Sequence, residues 1–124
     1  MNDENADKPV VLFPGLFQGV TDAHVAMVRV AVEHGHRVCV AIRDTKKTED
    51  TPFTYEERVG MFLKHLREEL DDGLVWFIKI PDIVAIIYGH NVGWKQTCLR
   101  LSDELEAVVY PPAKRKNHFL GEHI

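Results

Sequence analysis

The stretch Val10-Val11-Leu12-Phe13-Pro14-Gly15-Leu16-Phe17-Gln18-Gly19-Val20-Thr21-Asp22-Ala23-His24 decides the fold. A β-branched apolar run meets Pro14-Gly15, passes through a short loop and opens into an amphipathic segment near Asp22. Strand, turn and helix N-terminus are thus packed together. Such a junction aims backbone N–H groups and the positive end of a helix dipole at one spot, a setting suited to a phosphate or another anion. His24, in the first helical turn, faces the same spot.

Outward from this junction, residues 9–13 form a short continuous apolar run, the pattern of a strand buried on both faces of a parallel sheet. In residues 22–33 the apolar Val25, Met27, Val28, Val30, Ala31 and Val32 cover more than one helical face. This predicts a helix packed on the sheet, capped by Thr21 or Asp22 and ended at Gly35. Residues 36–43 read as a second strand, which completes a βαβ unit with a right-handed crossover. Ligands of such sheets sit beyond the carboxyl ends of the strands. Both the loop from Gly15 to His24 and residues 43–47 emerge there.

Residues 44–51 are a charged loop, and Pro52-Phe53-Thr54 introduces a second helix. Thr54 is its expected N-cap, with Glu57 placed for a capping box. Val59, Phe62, Leu63, Leu66 and Leu70 follow at spacings of three and four, so one face is core, and Asp71-Asp72-Gly73 ends the helix. Residues 74–80 are a third strand. Residues 83–88 are either a fourth strand or a short helix leading into one, with strand preferred at 86–88 because Gly89-His90-Asn91 supplies a turn. A helix over 93–101 and a last strand over 107–110 complete the expectation. The fold class is α/β: one Rossmann-like domain over residues 9–124, a five-stranded parallel sheet with helices on both faces. A disordered polar tail, residues 1–8, precedes it.

At 124 residues the chain fits one domain. Its 45% hydrophobic and 27% charged content is that of an ordinary globular protein. The net charge of −4 argues against generic affinity for nucleic acid. No segment reaches the length of a membrane span, and the polar start lacks the regions of a signal peptide, so a cytoplasmic location is expected and a membrane partner is not. Cys39 and Cys98 lie far from any metal-binding spacing and read as reduced thiols, and no metal site is expected on the protein.

The run from Gly15 to His24 resembles the signature of the cytidylyltransferase-like nucleotidyltransferases, G-x-F-[DQ]-P-x-H-x-G-H. Gly15, Phe17, Gln18 and His24 match, whereas Gly19, Thr21 and Ala23 replace the proline, the first histidine and the second glycine. Thr51-Pro52-Phe53-Thr54-Tyr55-Glu56-Glu57-Arg58 is similar to the N-P-F-T-x-x-E-R segment of adenylyltransferases in the same superfamily.

The resemblance implies transfer of CMP or AMP from CTP or ATP, accompanied by Mg²⁺, to a small phosphorylated acceptor, with no organic cofactor. It also implies a homodimer, since relatives of this size often pair. Such a transfer depends on holding two anions in line and stabilising charge on the bridging oxygens, so cations and N–H donors matter more than a nucleophilic side chain. The catalytic candidates are then His24 as transition-state ligand, Thr21 in the position of the other histidine, and Lys46.

The nucleotide-binding candidates are Gly15, Phe17 and Gln18 in the loop, Lys47 beside Lys46, Glu57 and Arg58, and Gly89, His90, Asn91 and Trp94 for base and ribose. Lys114-Arg115-Lys116, with Arg115 as the candidate, reads either as a substitute for the basic residue of the family's terminal segment or equally as a solvated tail. Glu57 reads equally as a helix cap, and Arg58 equally as its partner or a ligand of a backbone carbonyl. Thr21, Gly19 and the altered terminus also support a second reading, a member of the superfamily that binds a nucleotide or a protein without catalysis.

Overall fold

The structure is a computed structural model that describes residues 3–94. Within them the order is β1 (Val10–Gly15), α1 (Asp22–Glu33), β2 (Arg37–Arg43), α2 (Tyr55–Asp71) and β3 (Val75–Ile80). The strands form one parallel sheet in the order β1-β2-β3, with Gly15 opposite Ile42 and Arg43 opposite Ile80. All three strands therefore end at the same edge, and α1 and α2 start from it.

Local chemistry fixes each element. Thr21 caps α1 with extended backbone, and the helix stops where Gly35 adopts φ 87°, a left-handed turn that costs glycine nothing. Thr54 caps α2 as expected: its hydroxyl accepts from the Glu57 N–H at 3.1 Å, and the Glu57 carboxylate accepts from the Thr54 N–H at 3.2 Å. The helix kinks at Leu66, where φ is −119°. Beside it, the Arg29 guanidinium of α1 donates to the His65 carbonyl at 2.9 Å, the kind of insertion that bends a helix.

The core lies between the sheet and both helices. Val38, Val40 and Ile42 of β2 and Val75 of β3 meet Val25 and Val28 of α1 and Phe62 and Leu66 of α2. Because β1, β2 and β3 are neighbours in sequence order, two crossovers of the same hand place both helices on one face. Helices on both faces are thus not seen among the described residues. For the same reason β1 is not buried on both sides: Val10 is 47% and Leu12 55% exposed on the face away from the helices.

Two further expectations are corrected. Residues 86–88 are not a strand: the apolar run joins no ladder, and every residue from 84 to 94 is exposed. A run of apolar residues specifies a strand only when a neighbouring strand takes up its backbone groups. Residues 3–8, expected to be disordered, carry a 3-10 turn over Asp3–Asn5, and the buried Asn5 amide donates to the Asp72 carbonyl at 2.9 Å. The strand over 107–110, most of the helix over 93–101, Cys98 and Arg115 lie outside the described residues. So does the possibility of a five-stranded sheet.

Candidate functional site at the carboxyl edge

The loop after β1 is held by its own side chains. Phe17 has φ 53°, unusual for a bulky residue, and its ring turns inward, edge-on to Phe13, His24 and Phe62 at 5.1–5.2 Å. The ring lies so close to the α-carbon of Gly15 that a methyl group there would approach Phe17 Cζ to 2.6 Å. Gly15 is thus required by a close approach. Phe17, expected to line the nucleotide, is instead core, 5% exposed.

Gln18 spends its amide on the backbone of Phe53, donating to the carbonyl at 3.0 Å and accepting from the N–H at 2.9 Å. This latches the loop to the entrance of α2. What remains for a ligand is the loop backbone and the N-terminus of α1.

His24 sits in that first turn, 7% exposed. Its Nδ1 accepts from the Thr21 N–H at 3.0 Å, and the Thr21 hydroxyl lies 3.3 Å from the same nitrogen. The imidazole thereby makes the reach-back half of a capping box, a part usually taken by Glu or Gln. An accepting Nδ1 carries no proton, so a neutral ring bears its proton on Nε2. Burial lowers the pKa from 6.5 to about 4, which keeps the ring neutral at pH 7. His24 can offer one N–H to an anion but no charge. Thr21 is brought against it and shares its nitrogen.

Arg58 is 1% exposed. Its Nη1 donates to the Leu16 carbonyl at 2.7 Å and to the Arg43 carbonyl at 2.8 Å, and its Nε donates to the Thr54 carbonyl at 3.1 Å. These groups belong to the loop after β1, the end of β2 and the cap of α2. Desolvation lowers the pKa of the guanidinium, while Asp44 and Glu56 act to raise it. Of the two readings that the sequence left open, the described bonds favour the carbonyl ligand. Glu57, the other member of the pair, caps its helix.

Lys46 and Lys47 are exposed on the loop after β2, and neither is paired with a carboxylate among the described residues. Their loop is closed by Thr51, whose hydroxyl donates to the Lys46 carbonyl, and is rooted where the Asp44 N–H donates to the Ile80 carbonyl at 2.7 Å. Gly89, His90 and Asn91 lie in an exposed turn, and Trp94 is 70% exposed. Among the described residues these four build no walled base pocket.

Sequence reasoning missed a cross-tie at this edge. Arg43 donates through Nε to Asp82 at 2.9 Å, which binds the end of β2 to the exit of β3. The Thr45 hydroxyl, one residue beyond Asp44, is buried and has no hydrogen-bond partner among the described residues. The position of Arg58 was legible in one respect: it precedes Phe62 and Leu66 at spacings of four, on the stripe of α2 that faces the core.

A three-stranded parallel sheet in sequence order, with a loop and the N-terminus of α1 at its carboxyl edge, is the βαβαβ arrangement of a Rossmann-like α/β domain. The family model described as cytidylyltransferase-like matches residues 12–80, more than half of the chain, and the chain belongs to that family. No curated protein and no solved structure gives a match. A nucleotidyltransferase-type superfamily follows from the family. No helix of the described residues is long and apolar enough to cross a membrane.

Proposed function

We propose that the protein transfers a nucleoside monophosphate, CMP or AMP, from the triphosphate to a small phosphorylated acceptor. An oxygen of the acceptor phosphate attacks the α-phosphorus, the bond from that phosphorus to the α,β-bridging oxygen breaks, and pyrophosphate leaves with the electron pair. The observation that supports this reading is the loop from Gly15 to Gly19, clamped by Phe17, Gln18 and Arg58 at the entrance to α1 within the family's matched region.

In this reading the loop amides and the α1 N-terminus hold the phosphates, and His24 donates its Nε2–H to an oxygen that gains charge in the transition state. Lys46 and Lys47 supply the positive charge that a neutral His24 and Thr21 do not. The described residues include no group of three or more His, Cys, Asp or Glu side chains able to hold a metal ion. Mg²⁺ enters the proposal as a companion of the triphosphate. A soluble cytoplasmic homodimer fits the same reading.

A second reading is favoured by Thr21 and by the uncharged His24: a member of the family that binds the nucleotide without turning it over. Incubation with each of the four nucleoside triphosphates, Mg²⁺ and a panel of phosphorylated acceptors separates the two. Release of pyrophosphate is expected for CTP or ATP. Binding without release establishes the second reading, and absence of binding removes both.

A further inference from the structure

We infer that Arg58 is a positioning residue for the phosphate site: it touches no ligand and acts by holding the loop after β1 in register with the end of β2. A guanidinium that is 1% exposed has given up nearly all of its hydration, and no carboxylate bonds to it among the described residues. Buried charges are ordinarily paired. Here its described partners are backbone carbonyls, at Leu16, Arg43 and Thr54, drawn from three segments that converge on the carboxyl edge.

Two of these carbonyls are shared by the single nitrogen Nη1, at 2.7 and 2.8 Å. The spacing between Leu16 and Arg43 is therefore set by one planar group. Leu16 lies beside Phe17, a non-glycine residue with positive φ, and Arg43 lies three residues before Lys46. The N–H donors of one loop and the cations of the next thus share a common anchor. A lysine at this position keeps the charge but offers a rotating ammonium in place of the fork, so it cannot serve the three carbonyls in the same geometry.

The test is Arg58→Lys, read by amide hydrogen exchange, nucleotide affinity and turnover. The expected result is a folded chain in which the amides of residues 15–20 exchange about tenfold faster or more while those of β2 keep their protection. Turnover falls by about 10²-fold with little loss of affinity, because misplaced donors weaken the transition state most. Unchanged exchange at residues 15–20 overturns the assignment. So does a uniform loss of protection, which reports stability alone, or a loss of affinity with unaltered exchange, which reports direct contact.

Should the variant not fold, the Arg58 Nε–H of the wild-type chain decides by NMR. It is expected to stay protected and unshifted when ATP or CTP is added, and a nucleotide-induced shift larger than those of the loop amides overturns the assignment. The kinetic arm rests on the nucleotidyltransferase reading, the affinity and NMR arms rest on nucleotide binding alone, and the exchange arm rests on neither. A wild-type chain without turnover refutes that reading and leaves the exchange experiment to judge Arg58.

Discussion

Acidification should destabilise this protein through His24, and the size of the effect follows from the structure. The ring is buried, Nδ1 accepts from the Thr21 N–H, and the pKa falls from 6.5 to about 4. Between those values the unfolded chain binds a proton at this residue that the folded chain refuses. Stability therefore rises with pH: the contribution is fully present above the unfolded value and is lost as pH falls from there toward the folded one. A shift of this size corresponds to at most about 3 kcal/mol, of which about 2 kcal/mol disappears between pH 7 and pH 5.

His24→Gln isolates that part. A glutamine at the third helical position can still reach back to the Thr21 N–H but does not titrate. The remaining histidines are common to both chains, so their contributions cancel in the difference. Urea unfolding of wild type and variant at pH 7 and pH 5 is the assay, and the variant should lose about 2 kcal/mol less than wild type over this interval. An identical pH dependence in the two chains refutes the buried, neutral imidazole, and with it the picture of His24 as an Nε2–H donor.

Gly15→Ala should destabilise the fold by about 1–3 kcal/mol, because the new methyl meets the Phe17 ring and that ring is hemmed in by Phe13, His24 and Phe62. Thermal unfolding reads this, and a variant as stable as wild type would show that Phe17 can yield. Thr54→Ala removes the hydroxyl that accepts from Glu57 and should cost about 1 kcal/mol in urea unfolding, whereas Thr54→Asp should be near neutral.

The described elements were legible because each announces itself within a few residues. Apolar runs bounded by Pro14-Gly15, Arg43-Asp44 and Pro81-Asp82 gave the strands, and three-four spacing with Thr21 and Thr54 as caps gave the helices. The run at residues 83–88 misled because apolarity alone does not supply a partner strand.

The candidate site was legible as a place and less so as a set of roles. Gln18, Phe17 and Arg58 were named from the motif, but their partners are Phe53, Phe62, Leu16 and Arg43, most of them far away along the chain. No local pattern reveals whether such a side chain turns toward a ligand or toward the protein. The charge state of His24 was hidden for the same reason, since its desolvation comes from tertiary packing.

Phe17 joins two requirements that proteins usually keep apart. Its side chain wedges between Phe13 and Phe62, while its backbone belongs to the turn on which an anion would rest. A left-handed backbone at such a residue costs on the order of 1–2 kcal/mol and persists only because the wedge is seated. Trimming Phe62, which carries no polar group and lies inside the molecule, would unseat the wedge and let the turn relax to a commoner shape. The interior of this domain is in that sense a mould for its outer edge, and a purely oily substitution could blunt recognition before it melts the fold.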